Sequence, residues 1–271
     1  METAPRHGER RPRAYRGIPL RTFVPNAITA LALCFGLSAV RFAISDQWEL
    51  AVAAIVVAAM LDGVDGRVAR MLRANSRFGA ELDSLSDVIA FGVAPAVILY
   101  LWSLQFAPKF GWTVALAHAL CAALRLARFN SNIDVENQPR KAAGFNTGVP
   151  APAGAGMVLL PLVLWLAMGA EGIADNLRGW WLVMPWTAIT AGLLISSLAT
   201  YSWTSIRIPQ SWRLPALALV GIVGALLVGE PWWTIAALTL LYVVCIPFAA
   251  LAYGRVRRGK QPVGVARPTS T

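Results

Sequence analysis

The sequence predicts an all-α integral membrane protein, a bundle of about eight transmembrane helices. Of its 271 residues, 57% are hydrophobic and 14% are charged, whereas about 25% of the residues in a soluble domain are charged. The apolar residues fall into blocks of about 17 to 25, long enough for a helix to cross a hydrocarbon core about 30 Å thick. We therefore expect one helical bundle to use nearly the whole chain.

Turn residues separate the apolar blocks and so predict the spans in order. Polar stretches end the first span at residues 45–47 and the second at residues 73–77, and Pro or Gly residues punctuate most of the later boundaries. The expected spans are Ala27–Ile44, Trp48–Leu72, Leu82–Phe106, Trp112–Phe129, Pro150–Met168, Trp180–Ala199, Leu214–Val228 and Trp232–Tyr253. The membrane domain is expected at residues 23–254, between flexible basic tails at residues 1–22 and 255–271.

The basic residues predict the orientation of the bundle. With both termini in the cytoplasm, all but three of the 24 Lys and Arg residues lie inside, as the positive-inside rule requires. The net charge of +10 is therefore interpreted as a topological signal, and no nucleic-acid partner is expected. We expect a prokaryotic cell-membrane protein whose basic tails lie against anionic lipid.

One segment breaks the rule that charges avoid the bilayer. Five residues of the second span follow helical spacing and share one face: Asp62, Asp65, Gly66, Ala69 and Arg70. Three residues at the start of the third helix recur every four positions and share another face: Gly79, Asp83 and Asp87. Because a short polar turn joins these spans as antiparallel neighbours, we expect the four carboxylates to converge at the cytoplasmic end of the bundle.

Four carboxylates this close cannot all stay ionised in a low-dielectric setting unless cations neutralise them. An all-oxygen cluster without His or Cys suits Mg²⁺ or Mn²⁺ rather than zinc. The small residues on the same faces leave room for a bulky ligand. The Arg70 guanidinium can donate paired hydrogen bonds to phosphate oxygens. The pattern therefore indicates a metal-assisted pyrophosphate site.

Two other readings of the aspartates remain open at this point. They could form interhelical salt bridges with the nearby arginines Arg67, Arg70, Arg73 and Arg77, or line the ion path of a cation transporter. A transporter would place its carboxylates near the middle of the bilayer, whereas these lie beside arginines at one membrane face. Salt bridging alone does not explain why four aspartates share two converging faces.

The same residues resemble the signature of the CDP-alcohol phosphatidyltransferase family, DxxDGxxAR followed by eight residues and GxxxDxxxD, without a departure. Residues 25–29 (PNAIT) are similar to the family segment that contacts the cytidine nucleotide. Stretches at residues 83–96, 126–130 and 145–152 resemble the phosphatidylserine synthase branch. The resemblance covers about the first 155 residues.

This resemblance implies transfer of a phosphatidyl group from CDP-diacylglycerol to an alcohol, with CMP leaving. It implies that Asp62, Asp65 and Asp83 bind a pair of Mg²⁺ or Mn²⁺ ions, with Asp87 near the second ion and acting as the general base. The residues expected to bind the CDP-lipid are Asn26, Thr29, Gly66, Ala69, Arg70, Ser76 and Gly79. A homodimer is expected from the family, and the absence of an obvious activated nucleophile favours direct attack over a covalent intermediate.

The branch resemblance points to L-serine as the acceptor. Arg125 and Arg128 lie on one polar stripe of the fourth span, where either guanidinium can pair with the serine carboxylate, assisted by Asn130 or Lys141. Either arginine could instead bind lipid phosphate or anchor the helix end. Because the signature is shared, the same chemistry with glycerol 3-phosphate, inositol phosphate or choline as acceptor stays open.

Overall fold

Helices make up nearly all of the chain that the computed structural model describes, which is residues 20–74, 76–131, 145–196, 199–201 and 213–259. The fold class is therefore the predicted all-α bundle. Most of the two expected tails, and Lys141, lie outside these residues. Residues 20–22 and 255–259, which were expected in the tails, continue the first and last helices.

Nine α-helices follow one another along the described ranges, with bounds close to the predicted spans. They are α1 (Leu20–Ile44), α2 (Trp48–Met71), α3 (Arg77–Asp87), α4 (Ala94–Trp102), α5 (Gly111–Ser131), α6 (Ala151–Ala167), α7 (Trp180–Ile195), α8 (Arg213–Gly229) and α9 (Pro231–Gly259). A π-helical segment (Val88–Val93) joins α3 to α4, so residues 77–102 form one continuous rod that includes most of the third predicted span. Short 3₁₀ helices at Leu104–Phe106 and Gly172–Arg178 complete the described helical structure.

Four of the described segments have both the length and the apolar composition to cross a membrane. They are Arg21–Ile44, Arg77–Trp102, Gly111–Ser131 and Pro231–Ala249. Three shorter helices are also apolar, and α2 carries the charges of the carboxylate segment. The protein is thus a membrane protein, and the count of eight spans stays a prediction.

Two helices begin earlier than their apolar blocks. The first starts at Leu20 rather than near Ala27, and the third at Arg77 rather than near Leu82. Both added turns contain polar residues, so hydropathy alone could not detect them. In the third helix, Ser76 caps the new start by accepting a hydrogen bond from the Gly79 amide at 3.0 Å, which satisfies one amide that the helix leaves without a partner.

The helical rod containing the π-helical segment lies at the centre of the packing. On one side, α1 approaches it so closely that a Cβ placed on Gly36 would lie 2.6 Å from the Ala90 Cβ. On the other side, a Cβ on Gly92 would lie 2.8 Å from the Ala122 Cβ of α5. Small residues allow membrane helices to pack this closely, and the rod that carries Asp87 is held from both sides.

The buried core surrounds this rod and α6. Phe91, Ile98 and Leu99 from the rod pack with Val158 and Leu162 of α6, all at most 2% exposed. By contrast, α8 exposes large apolar side chains such as Leu214, Val220 and Val228, as expected where lipid replaces water. The core therefore lies among the first seven helices and α9, which contributes the buried Ala236.

A small antiparallel strand pair, not anticipated from the sequence, joins two connections at one end of the bundle. β1 (Phe145–Thr147) precedes α6, and β2 (Ala199–Tyr201) follows α7. Asn146 pairs with Thr200 at the centre of the register. Gly148 follows β1 with a φ of +77°, a conformation that favours glycine. Because this pair is three residues long on each strand, it does not alter the fold class.

The close approach of α1 to the central rod is testable with one methyl group. We expect Gly36→Ala to lower the free energy of unfolding in detergent by about 1–3 kcal/mol, because the added Cβ meets the Ala90 backbone as well as its side chain. Gly192→Ala is the matched control, since nothing lies within 4 Å of its Cβ position. Equal unfolding midpoints for the two variants would contradict the packing described above.

Candidate active site

A tight turn between α2 and α3 determines where the carboxylates lie. The Ala74 amide donates to the Ala69 carbonyl at 2.9 Å, and the Arg73 amide donates to the Arg70 carbonyl at 3.2 Å. Arg73 has a φ of +49°, in the left-handed region that ends many helices. The chain thus reverses within a few residues, and α1 packs against both α2 and α3.

Three of the four predicted aspartates come together. Asp62 of α2 and Asp83 and Asp87 of α3 each offer a carboxylate oxygen, and these oxygens lie within 4.8 Å of one another. The side chains of Asp62 and Asp87 are also within hydrogen-bond reach of each other. Two carboxylates can stay this close only if they share a proton or if a cation lies between them.

The donor set of this cluster fits a divalent cation. Its ligand atoms are all carboxylate oxygens, the kind that hard cations such as Mg²⁺ prefer. Within the described ranges, Asp87 Oδ1 is buried and has no hydrogen-bond partner, which is costly for a charged oxygen unless a ligand satisfies it. The cluster is therefore suited to hold a metal ion.

Asp65, the fourth aspartate, is held differently. It is 3% exposed, and its Oδ2 accepts a hydrogen bond from the Thr29 hydroxyl of α1 at 2.6 Å. That hydroxyl also lies 3.1 Å from the Pro25 carbonyl. Asp65 is not part of the three-residue cluster, although it still interacts electrostatically with Asp62 and Asp83. It joins the cluster to α1.

The arginines near the cluster do not pair with it. In the part of the chain that the structure describes, no ion pair joins any of the four aspartates to Arg67, Arg70, Arg73 or Arg77, and all four arginines are exposed. Salt bridging therefore does not explain the spacing of the aspartates. Asp62, Asp83 and Asp87 instead lie close to one another, and Asp65 and Asp83 line a neighbouring cleft.

A cleft of about 220 Å³ lies between α1, α2 and the start of α3. It is lined by Pro25, Asn26, Thr29, Asp65, Gly66, Ala69, Ala74, Ser76, Gly79, Ala80 and Asp83. Every residue predicted to bind the CDP-lipid is among them except Arg70, whose side chain is exposed on α2. The two aspartates of the lining connect the cleft to the carboxylate cluster.

Two glycines shape this cleft. Nothing lies within 4 Å of a Cβ placed on Gly66, whereas a Cβ on Gly79 would lie 2.7 Å from Asn26 Oδ1 and 3.1 Å from Ser76 Oγ. Gly66 therefore leaves one wall open, and Gly79 lets the Asn26 amide and the Ser76 hydroxyl approach the α3 backbone. Both polar groups line the cleft, where they can contact a ligand.

The candidate acceptor residues separate into different environments. Arg125 is half-buried and interacts electrostatically with Asp87. Arg128 is exposed and donates to the Ile195 carbonyl of α7 at 3.4 Å, while the Asn130 amide donates to Ser84 Oγ at 2.9 Å. Of the three, Arg125 is thus the one that interacts with Asp87, and the other two tie α5 to its neighbours. Lys141 lies outside the described residues.

Sequence reasoning missed one neighbour of Arg125. Tyr242 of α9 interacts electrostatically with the Arg125 guanidinium, although the two residues are far apart in the chain. No motif in α9 marks this tyrosine, which is surrounded in the sequence by apolar residues. Only the tertiary structure brings it to the polar end of the bundle.

Comparison with known proteins gives two family matches. Residues 22–193 match the family model described as CDP-alcohol phosphatidyltransferase, which covers most of the bundle and the whole carboxylate segment. Residues 211–247 match a second model, described as CDP-alcohol phosphatidyltransferase 2, which covers most of α8 and α9. The similarity therefore extends past the motifs recognised in the first 155 residues.

Several curated relatives are similar over most of their length. A Mycobacterium leprae protein is 41% identical over 88% of this chain and 78% of its own. A Mycobacterium tuberculosis protein is 42% identical over 88% and 82%, and a Helicobacter pylori protein is 32% identical over 83% and 90%. All three are named CDP-diacylglycerol–serine O-phosphatidyltransferase.

The Thr29–Asp65 hydrogen bond yields a prediction about stability. We expect Thr29→Val to lower the free energy of unfolding by about 1–3 kcal/mol, because it removes the side-chain hydroxyl that donates to the buried Asp65 carboxylate. Thr113→Val, at an exposed position of α5, is the control in the same detergent unfolding experiment. Adding Asp65→Val should recover part of the loss, since both polar partners are then gone. Full additivity of the two changes would rule out the coupling.

Proposed function

The chain belongs to the CDP-alcohol phosphatidyltransferase family, and from that premise we propose that it transfers the phosphatidyl group of CDP-diacylglycerol to the hydroxyl of L-serine. The products are phosphatidylserine and CMP. The observation that carries the proposal is the convergence of Asp62, Asp83 and Asp87 beside a cleft lined by the expected CDP-lipid residues. The names of the similar bacterial proteins support serine as the acceptor.

The CDP portion of the lipid binds in the cleft. Asn26, Thr29 and Ser76 supply polar groups there, while Gly66, Ala69 and Gly79 keep the backbone accessible. Arg70 contributes a phosphate contact from the exposed side of α2. The lipid tails stay in the bilayer, so the substrate reaches the cleft without leaving the membrane.

Asp62, Asp65, Asp83 and Asp87 hold two Mg²⁺ or Mn²⁺ ions in this proposal. When bound, such ions neutralise negative charge on the pyrophosphate and on the departing CMP. Asp62, Asp83 and Asp87 supply clustered oxygens, and Asp65 supports them from its position against Thr29. The aspartates are close enough to need such neutralisation even before the anionic substrate binds.

Asp87 acts as the general base. Its Oδ1, which has no hydrogen-bond partner within the described ranges, accepts the proton of the serine hydroxyl. The serine oxygen forms a bond to the β-phosphorus, the one attached to diacylglycerol, and the bond from that phosphorus to the oxygen bridging it to CMP breaks. CMP leaves with that bonding electron pair, and attack is direct, without a covalent enzyme intermediate.

Arg125 binds the serine carboxylate. It is the cation that interacts with Asp87 among the described residues, and one guanidinium suits one carboxylate through paired hydrogen bonds. A phosphorylated acceptor such as glycerol 3-phosphate carries more negative charge, so its binding site needs more cationic side chains. This single-cation environment therefore favours serine over phosphorylated acceptors.

The proposal also includes location and assembly. The site and both termini face the cytoplasm of a prokaryotic cell, because that orientation puts nearly all basic residues inside. The polar substrates CDP-lipid headgroup and serine are then on the side where the cell makes them. A homodimer is part of the same proposal, carried from the family resemblance.

The proposed reaction can be tested directly. Purified protein supplied with CDP-diacylglycerol and Mn²⁺ should release CMP when L-serine is added, and Asp87→Asn should lower that rate by about 10²–10⁴-fold, since it removes the base. Glu81→Gln, at an exposed position on the same helix, should retain activity. Binding of CDP-diacylglycerol by each variant serves as the folding control.

Parallel assays with glycerol 3-phosphate, inositol phosphate and choline separate the alternatives. CMP release that depends on one of these acceptors and not on serine would preserve the family chemistry and overturn the serine assignment. If protein that binds CDP-diacylglycerol released no CMP with any acceptor, the transferase proposal itself would fail.

The metal assignment has its own measurement, independent of turnover. Mn²⁺ binding can be followed by electron paramagnetic resonance during a titration. We expect Asp83→Asn to raise the dissociation constant for Mn²⁺ by at least about tenfold, because loss of a residue that only supports a metal ligand already weakens metal binding by about tenfold or more. Glu81→Gln should bind Mn²⁺ as the unaltered protein does. Identical Mn²⁺ titrations of the two variants would remove Asp83 from the metal site.

A further inference from the structure

The turn between α2 and α3 carries both positive charge and apolar side chains on its outer side. Residues 67–78 contain four arginines and no acidic residue. All four arginines are exposed and form no ion pair in the described part of the chain. Met71 is 82% exposed and Phe78 is 68% exposed. We call the exposed side chains of Arg67, Met71, Arg73, Arg77 and Phe78 the basic turn surface.

This surface lies at the end of a membrane span. The segment Arg77–Trp102 has the length and composition to cross a membrane, so Phe78 belongs to the first turn of a spanning helix. The neighbouring α1, which packs against α2 and α3, is apolar enough to span from Arg21 onward. Residues at the start of a span lie near the headgroup layer of the bilayer. The basic turn surface is therefore within reach of lipid phosphates.

The two kinds of side chain on this surface fit the boundary between headgroups and acyl chains. A guanidinium donates paired hydrogen bonds to phosphate oxygens, and clustered arginines are attracted to anionic lipid. Exposed Met and Phe side chains gain free energy when they enter the acyl boundary. Arg67 and Met71 lie four residues apart on α2, so one face of the helix end carries both properties. A free phosphate ion would satisfy the arginines and leave the apolar side chains in water.

The inner side of the same turn borders the cleft. Ala69, Ala74 and Ser76 line the cleft, whereas the arginines between them in the sequence are exposed. Lipid headgroups bound to the outer side of the turn therefore lie beside the cleft.

From these observations we propose that the basic turn surface binds anionic phospholipids of the bilayer and gathers them beside the cleft. The partner is a lipid whose phosphate binds the arginines while its acyl chains cover Met71 and Phe78. This inference goes beyond the proposed transfer and does not depend on it, because it needs only a membrane-embedded chain with this turn at the bilayer surface.

Spin-labelled lipids test the proposal without any turnover. The protein is reconstituted in dioleoylphosphatidylcholine vesicles with a trace of spin-labelled phosphatidylglycerol or spin-labelled phosphatidylcholine, and electron paramagnetic resonance measures the fraction of label that the protein immobilises. We expect the unaltered protein to prefer phosphatidylglycerol, and Arg73→Gln/Arg77→Gln to lower that preference by at least about twofold. Each arginine near an anionic lipid surface strengthens binding by about fivefold, and lipid contacts around the rest of the bundle dilute the measured effect.

Two variants are matched to this one. Arg41→Gln/Lys109→Gln also removes two exposed charges, one at the end of α1 away from the cleft and one in the connection before α5, and it should keep the preference. Arg73→Lys/Arg77→Lys retains the charge and should keep most of the preference. Because all four substituted side chains are exposed, we expect equal unfolding midpoints for every variant.

Two results would overturn the proposal. If the glutamine variant of the turn kept the full preference for phosphatidylglycerol, the label would be held elsewhere, in the cleft or at other basic residues. If Arg41→Gln/Lys109→Gln lost as much preference as Arg73→Gln/Arg77→Gln, the effect would be one of net charge rather than of the turn. Since the measurement uses no substrate, either result is distinct from a failure to release CMP with serine.

Ionic strength gives a second readout of the same variants. At about 1 M salt the Debye length falls to about 3 Å, so the difference between the unaltered protein and Arg73→Gln/Arg77→Gln should shrink. A difference that salt leaves unchanged would contradict an electrostatic attraction between the turn and anionic lipid.

Discussion

Repulsion among the carboxylates of Asp62, Asp83 and Asp87 is the constraint on which the rest of the structure depends. Their oxygens lie within 4.8 Å of one another and the three side chains are half-buried, so their charges repel one another with less screening than in bulk water. The surrounding helices must hold them together. The capped turn between α2 and α3, and the close packing of α1 and α5 against the central rod, supply that rigidity.

The four aspartates are held in two different ways. Asp65 accepts a hydrogen bond from the Thr29 hydroxyl, which stabilises the carboxylate and ties α2 to α1. The other three remain clustered and unpaired with arginine in the described residues. Asp65 therefore also ties the site to α1, whereas the oxygens of the other three aspartates lie together as a group. The cleft lies where these two roles meet, since Asp65 and Asp83 both line it.

The sequence was sufficient for features that depend on local periodicity. The i, i+3 and i, i+4 spacing of the aspartates indicates which of them share a helix face. The structure brings three of the four carboxylates together. The sequence was insufficient for features that depend on tertiary contacts. Arg125 and Arg128 occupy one stripe in the sequence, yet one approaches Asp87 and the other bonds to Ile195. The π-helical segment, the strand pair and Tyr242 likewise follow from packing between distant segments.

The chain order of these elements has a consequence for how the protein is made. The cleft is built from α1, α2 and α3, so it is complete once the first third of the chain has entered the membrane. Arg125 gains its α9 neighbour only when almost the entire chain has been synthesised. During biogenesis, the cleft therefore forms early, and the surroundings of Arg125 are completed only with the last helix to be inserted.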